Sequence, residues 1–252
     1  MDIEELADVI AKSDCNVALT GAGVSTASGV RDFRGPQGIW RIIDPEKFEI
    51  DYFLSNPDEV WNLFVEHFNL REDVKPNPAH YALAELENMG LLCALITQNI
   101  DGLHQRAGSK NVIELHGNLR KAVCMSCGKE YDLAEVLSSF KGESPRCKAC
   151  GGLLKPDIIF FGEPLKSDVL TEAIRISKKS KVFLAIGTSL AVSPANQLPL
   201  YAKYSGAKLI IINEGPTELD YLADAKINER VEKVLPELVK IIYNKINRIK
   251  RV

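Results

Sequence analysis

The sequence predicts an α/β fold built on a doubly wound parallel sheet, with a smaller unit attached to it. Two observations support this prediction. Short apolar runs recur along the chain, and their hydrophobicity is continuous instead of alternating, as in parallel strands buried on both faces. Helical patterns lie between the runs, and such alternation is typical of a doubly wound domain. The runs are Asn16–Thr20, Leu91–Thr97, Val182–Ile186 and Lys208–Ile212.

Capping residues mark the helices between these strands. Asn77 and Pro78 suit the N-cap and first turn of a helix that Gly90 ends. Two more helices are predicted over Ser167–Lys179 and from about Glu232 to Lys250. Each helix follows or precedes an apolar run, as a layered α/β domain requires.

Two segments interrupt the alternation. The first contains the turn signal Gly35-Pro36 and a Trp- and Phe-rich helix around Pro57–Leu70, and the second contains four clustered cysteines. We expect both to be insertions that together form a smaller domain, made of a helical module and a cysteine module. The smaller domain would comprise residues 31–75 and 119–156, and the large domain residues 1–30, 76–118 and 157–252.

Composition excludes some functions. The chain has 252 residues, 46% hydrophobic and 26% charged, and its net charge of −3 gives no reason to expect nucleic-acid binding. No apolar run approaches the ~20 residues of a membrane span, and the acidic N-terminus is unlike a secretory signal, so a cytoplasmic location is expected. The basic tail Lys240–Arg251 suits the end of a helix, with an acidic partner as the alternative. Cys15 and Cys93 lie in apolar stretches typical of small buried residues.

The four remaining cysteines have the spacing of a zinc site. Cys124-x-x-Cys127 and Cys147-x-x-Cys150 are separated by 19 residues. Four thiolates leave no open position for water, so the metal is expected to be structural. Iron or a redox-active pair of disulfides is the alternative.

A glycine-rich loop follows the first predicted strand. Gly21 and Gly23 would let the backbone approach a pyrophosphate at a helix N-terminus. However, Thr26 stands where a dinucleotide fingerprint has its third glycine, and no acidic residue stands in an obvious position for the ribose. A nucleotide site and a simple tight turn both remain open, while a hydride-transferring dehydrogenase is disfavoured.

Polar residues also follow the second strand and a later apolar segment. Thr97–Gly102 lies where parallel sheets bind ligands, although these side chains could instead cap the next helix. The intrinsic pKa of a histidine such as His116 suits proton transfer near neutral pH, although a histidine at a strand end is often only packed. His80 and His104 lie in helical patterns, and a structural role is favoured for both.

Taken together, these motifs resemble the sirtuin family from about Ala7 to Leu238. The matching motifs occur in sirtuin order: Gly21–Ser25, Asp32–Gly35, Thr97–Asp101, Leu115–Gly117, the paired cysteines, Phe161–Glu163, Gly187–Ser189 and Asn213. The resemblance implies a Rossmann-like domain, a small domain with one structural zinc, and NAD bound between them. It also implies an NAD-dependent lysine deacetylase that transfers the acetyl group to ADP-ribose, releasing nicotinamide and O-acetyl-ADP-ribose.

The resemblance implies roles for individual residues. The expected catalytic residues are His116, as the base, and Asn99. Asp101 is expected to accept a hydrogen bond from the nicotinamide carboxamide. The residues expected to bind NAD are Ala22, Gly23, Thr26, Phe33, Arg34, Gln98, Asn99, Ile100, Asp101, His116, Thr188, Ser189, Asn213, Glu214 and Val231. Those expected to bind the acetyl-lysine peptide, as an added strand, are Phe161, Gly162, Glu163 and Val192.

Two departures from the family pattern bear on specificity. Arg31 replaces a common proline and so removes a constraint on the cofactor loop. The Tyr-x-x-Arg pair of sirtuins that prefer acidic acyl groups is missing: Phe64 and His67 have its spacing, and Arg71 lacks the tyrosine. Acetyl or longer apolar acyl groups are therefore expected, on a chromatin protein or a metabolic enzyme. A mono-ADP-ribosyltransferase and an inert NAD- or acetyl-lysine-binding module are the alternatives.

Overall fold

The computed structural model describes residues 2–35, 38–68 and 74–249. Pro36, Leu70, Arg71, Lys250 and Arg251, which entered the sequence analysis, lie outside the described residues. The strands in chain order are β1 Asn16–Thr20, β2 Leu92–Thr97, β3 Val112–Glu114, β4 Gly117–Cys124, β5 Glu130–Asp132, β6 Leu154–Ile158, β7 Val182–Ile186, β8 Lys208–Ile212 and β9 Ala225–Ile227. The helices are α1 Ile3–Ala11, α2 Ile50–Ser55, α3 Pro57–Phe68, α4 Pro78–Asn88, α5 Leu103–Arg106, α6 Leu133–Ser138, α7 Ser167–Lys179, α8 Leu198–Tyr204 and α9 Val231–Ile249.

Six strands form one parallel sheet in the order β3-β2-β1-β7-β8-β9. The order runs outward in both directions from the β1–β7 pair, and this reversal defines a doubly wound sheet with a switch point there. Helices α1, α4 and α9 pack on one face, and α7 and α8 pack on the other. The predicted Rossmann-like α/β fold is confirmed.

A second, antiparallel sheet has the order β5-β4-β6. It shares one apolar core with α2, α3 and α6. Trp61 is at the centre of this core: its side chain is fully buried, and its indole N–H donates to the carbonyl of Leu154 at 3.0 Å. The two interrupting segments of the sequence thus pack against each other, although they are far apart in the chain.

One sequence prediction about the cysteines is wrong. Cys15 and Cys93 are half-buried and joined by a disulfide, with their Cα atoms 5.4 Å apart, instead of being separate small buried residues. Because β1 and β2 are parallel neighbours, Cys15, one residue before β1, lies beside Cys93 in β2. The cysteines are 78 positions apart in the chain, so only the strand order reveals their contact.

The C-terminal helix explains part of the basic tail. The ammonium of Lys245 contacts the carboxylates of Glu4 and Asp8 in α1 at 3.0 and 2.8 Å. This tail residue therefore ties the last described helix to the first. Among the described residues, no helix has the length and apolar character needed to cross a membrane.

Candidate active site

A cavity of about 1280 Å³ opens where the carboxyl ends of β1, β2, β7 and β8 meet. Gly21, Gln98, Gly187 and Asn213, which directly follow these strands, line it. This is the edge at which doubly wound sheets bind ligands. The opposite wall belongs to the second apolar core, so the cavity lies between the two sheets.

The structure brings nearly all of the predicted site residues to this cavity. The predicted NAD-binding residues that line it are Ala22, Gly23, Thr26, Phe33, Arg34, Gln98, Asn99, Ile100, His116, Thr188, Ser189, Asn213, Glu214 and Val231. All of the predicted substrate residues also line it: Phe161, Gly162, Glu163 and Val192. Asp101 is the exception among the residues predicted to bind NAD or the peptide. Arg31, the departure from the family pattern, faces the same space.

The glycine-rich loop has a structural reason for its glycines. A Cβ on Gly23 would lie 2.8 Å from the carbonyl oxygen of Gly187, and the amide of Gly23 donates to that oxygen at 2.9 Å. The loops after β1 and β7 are therefore in direct backbone contact. The loop continues into three-residue 3₁₀ turns, Ala22–Val24 and Thr26–Ser28, and not into the α-helix that the sequence analysis expected.

His116 lies between β3 and β4, at the point where the chain passes from one sheet to the other. Its Nδ1 is 3.0 Å from the carbonyl oxygen of Gln98. A carbonyl only accepts, so Nδ1 carries the proton and the neutral ring keeps its lone pair on Nε2. Burial lowers the pKa of His116 below the ordinary value, and the hydrogen bond to Gln98 opposes this effect. The ring is thus neutral at neutral pH, with Nε2 able to accept a proton.

Asn99 and Asp101 belong to a buried hydrogen-bond network around Ser25. The side-chain amide of Asn99 donates to the carbonyl of Gly21 at 3.1 Å and to the Ser25 hydroxyl at 3.2 Å. That hydroxyl donates to Asp101 at 2.6 Å, and the amide of Leu103 donates to the other carboxylate oxygen at 2.9 Å. Burial raises the pKa of Asp101, while the hydrogen bond from Ser25 lowers it. The Asp101 carboxylate is committed to these partners here, so its expected contact with the nicotinamide carboxamide stays a prediction.

Two histidines lie directly behind this network. His80 Nε2 is 3.4 Å from the Ser25 hydroxyl, and His104 Nε2 is 2.9 Å from the Thr20 hydroxyl. Their ring centroids are 4.8 Å apart. Burial lowers the pKa of His80 to about 4, and burial together with the neighbouring His80 lowers the pKa of His104 to about 3. Both rings are neutral, buried supports, in keeping with the structural role favoured from the sequence.

An aromatic wall lies opposite the sheet, and it was not predicted from the sequence. Trp40 is its centre, with its ring 5.3 Å from that of Phe33 and 5.8 Å from those of Phe48 and Phe161. Phe68 also lines this wall. The abundance of Trp and Phe in residues 31–75 was a signal, but it did not show that the rings face a cavity. The wall supplies a dry, apolar end to a site whose sheet side is polar.

The four paired cysteines converge in the second sheet. Their sulfur atoms all lie within 4.8 Å of one another, with 3.5 Å between Cys124 and Cys150 and 3.7 Å between Cys127 and Cys147. A tetrahedral zinc with Zn–S bonds of ~2.3 Å requires sulfur–sulfur distances of about 3.8 Å. The donor set and its spacing therefore fit zinc. Such a closed site supplies folding energy and no open position for catalysis.

The doubly wound sheet, with a cavity at its carboxyl edge, defines an α/β protein of the nucleotide-binding class, and comparison with known proteins gives its family. The model of the Sir2 family matches residues 21–194, and the chain belongs to this family. It is 63% identical over 238 residues to NAD-dependent protein deacetylase 1 of Pyrobaculum aerophilum, with 94% of each chain covered. It is 52% identical to the NAD-dependent protein deacetylase of Sulfolobus acidocaldarius, with 96% of each covered. A solved complex of Sir2 with a p53 peptide and NAD⁺ superposes with a TM-score of 0.90 at 42% identity, covering 98% of this chain and 100% of that one.

Proposed function

We propose that the protein is an NAD-dependent lysine deacetylase. It transfers the acetyl group of an acetylated lysine to ADP-ribose, and releases nicotinamide and O-acetyl-ADP-ribose. The observation that carries the proposal is the state of His116, a neutral imidazole in the cavity wall whose Nδ1–H is held by Gln98. Family membership and the named activity of the relatives supply the substrates.

His116 suits the role of base. The Gln98 carbonyl fixes both the tautomer and the plane of the ring, so Nε2 is ready to accept a proton from a ribose hydroxyl. Burial keeps the ring unprotonated at neutral pH. Asn99 is held by Gly21 and Ser25 beside the same loop, where its amide would orient the ribose.

The two walls of the cavity suit the two substrates. Dinucleotide contacts are assigned to the sheet edge, where Ala22, Gly23 and Thr26 of the glycine-rich loop line the cavity. The acyl-lysine is assigned to the aromatic side, because an apolar wall accepts an uncharged acyl chain but leaves a lysine ammonium without partners. Zinc is assigned to the four cysteines, as a support for the second sheet.

This arrangement also supports the proposed division into two domains, with residues 31–75 and 119–156 as the small one. Its partners would be acetyl-lysine proteins, either a chromatin protein or a metabolic enzyme, in the cytoplasm. Mass spectrometry of acetylated lysate peptides, before and after treatment with enzyme and NAD, would identify them.

Incubation of the zinc-replete protein with NAD and an acetyl-lysine peptide tests the proposal. We expect nicotinamide, deacetylated peptide and O-acetyl-ADP-ribose in equal amounts, and we expect His116→Ala to abolish turnover while the variant still binds NAD. Transfer of ADP-ribose to protein without deacetylation would indicate a mono-ADP-ribosyltransferase instead. Binding without any nicotinamide release would indicate an inert binding module.

A further inference from the structure

Lys155, in β6, places a charged group inside the wall of the cavity without lining it. Its ammonium donates to the carbonyl of Ile158 at 2.6 Å, to the carboxylate of Glu163 at 2.9 Å and to the carbonyl of Pro156 at 3.4 Å. It also lies 4.8 Å from the ring centroid of Phe160. Only 11% of the Lys155 side chain is exposed. The three donors of the ammonium are thus all used within one short segment.

Glu163 completes this arrangement from the other end of the segment. The carboxylate oxygen that accepts from Lys155 also accepts from the amide of Phe160 at 2.8 Å. The amide of Glu163 in turn donates to the carbonyl of Phe160 at 3.1 Å, which closes the turn. Gly162 has a φ of +83°, a conformation that suits glycine at this sharp reversal. Although Glu163 lines the cavity, its carboxylate is held by the protein itself.

The segment from Ile158 to Glu163 is the part of the wall that the Lys155–Glu163 pair holds in place. It is also bound to the catalytic centre, because the amide of Ile159 donates to the carbonyl of His116 at 3.0 Å. Phe161 bonds through its own amide and carbonyl to the backbone of Phe48 and Ile50, both at 2.9 Å. One ammonium therefore fixes a segment that contacts the base on one side and the helical module on the other.

We infer that Lys155 is a positioning residue for the acyl-lysine peptide, an inference that rests on the deacetylase function proposed above. The pair with Glu163 presents the edge formed by the Phe161 ring and the Gly162 backbone to the peptide in a fixed conformation. Removing the ammonium leaves the half-buried Glu163 carboxylate without its cation, so the turn has to open to hydrate it. Peptide binding is then weakened because the edge has to be ordered again on association.

A purely structural role makes a different prediction. Lys155 lies in β6, one residue after Leu154, which belongs to the apolar core of the small sheet. If Lys155 only stabilised that sheet, its replacement would lower thermal stability and zinc content, and all kinetic constants of the remaining folded enzyme would stay normal. Specific loss of peptide affinity is therefore the diagnostic result.

The test compares Lys155→Met, Lys155→Arg and Glu163→Gln with Lys121→Met. Lys121 is an exposed lysine in the same small sheet whose ammonium pairs with Glu130 of β5, so it serves as a control for the loss of a lysine ion pair in this sheet. For Lys155→Met we expect the KM for the acetylated peptide to rise about tenfold, which corresponds to ~1.4 kcal/mol. The KM for NAD should stay within about twofold, because the sheet edge is untouched. The Lys155→Arg variant should retain most of the wild-type affinity for the peptide. The KM of Glu163→Gln for the peptide should rise as it does in Lys155→Met.

An unchanged peptide KM in zinc-replete Lys155→Met would overturn the inference. So would equal increases in the KM values for peptide and NAD, or a peptide effect of the same size in Lys121→Met. Binding of a fluorescent acetyl-lysine peptide, measured by anisotropy, gives an answer independent of turnover. If the wild type binds the peptide but releases no nicotinamide, the proposed function fails while the role of Lys155 is still measured.

Discussion

Replacing Gly117 with alanine tests the contact that joins His116 to the second sheet. Gly117 directly follows the proposed base and has a φ of +77°. A Cβ at this position would lie 2.0 Å from the carbonyl oxygen of Asp157 in β6. Gly90 offers a matched control: its φ is +73°, and a Cβ there would meet nothing within 4 Å. Both variants therefore carry the same left-handed strain, and only Gly117→Ala adds a clash.

The two contributions can be separated in magnitude. An alanine in the left-handed region costs roughly 1–2 kcal/mol, and this is all that Gly90→Ala should lose. Real Cβ contacts essentially never fall below 3.0 Å, so in Gly117→Ala the Asp157 backbone has to retreat by about 1 Å. Overpacking of this kind costs a further ~1–3 kcal/mol. At about 2–4 °C per kcal/mol for a chain of this size, the extra loss is ~2–12 °C in Tm.

Thermal unfolding of both zinc-replete variants against the wild type measures this difference, and turnover of acetylated peptide measures its effect on the site. Displacing β6 would break the hydrogen bond from the Ile159 amide to the His116 carbonyl and so move the proposed base. We therefore expect kcat to fall in Gly117→Ala and not in Gly90→Ala. Equal stability losses in the two variants would refute the reasoning, because they would show that β4 and β6 do not approach this closely behind the base.

The remaining predictions concern the metal, the buried histidines and the disulfide. Cys147→Ser should abolish zinc binding and unfold the three-stranded sheet, as seen by metal analysis and circular dichroism. The folded-state pKa values of His80 and His104, about 4 and about 3, lie below the ordinary 6.5. The unfolded chain therefore binds more protons below pH 6.5, so the free energy of unfolding should fall as the pH drops from 6.5 towards 4, measured by urea titration. Reducing the Cys15–Cys93 disulfide, which spans 78 positions, should lower the free energy of unfolding by up to about 4 kcal/mol.

Each of these has a result that would contradict it. Wild-type zinc content in Cys147→Ser would exclude closed four-sulfur coordination. If His80→Gln and His104→Gln variants lose as much stability in acid as the wild type, other groups cause the loss. Six titratable thiols instead of four in the unfolded, unreduced protein would show that Cys15 and Cys93 are not joined. The Cys15→Ser variant, which cannot form the disulfide, should have the stability of the reduced wild type.

Much of the large sheet was predictable because its central strands are buried on both faces. β1, β7 and β8 have the predicted bounds, and β2 begins one residue later than predicted. The edge strands β3 and β9 have three residues each, too few to show a pattern. Helix α7 has its predicted bounds as well, since its amphipathic pattern is strong and uninterrupted.

The candidate site was predictable where function depends on residue type, and unpredictable where it depends on contacts between distant segments. The four cysteines have a recognisable local pattern, whereas the role expected of His116 came from the resemblance of several motifs together to the sirtuin family. By contrast, the Gly23–Gly187 contact, the Cys15–Cys93 bond and the commitment of Asp101 to Ser25 each join segments more than seventy positions apart. The sequence around a residue does not show which distant backbone group, thiol or hydroxyl will lie next to it in the fold.

The Gly23–Gly187 contact constrains how the cavity can be altered by engineering. A Cβ on either glycine would lie within 3.0 Å of the backbone of the other loop, so neither position tolerates a side chain even if its partner is changed. The part of the cavity wall formed by Gly23 and Gly187 therefore cannot be altered by substitution. Variants with a new preference among nucleotide cosubstrates should be sought at the rim after β8, around Asn213 and Glu214, where side chains already face the opening.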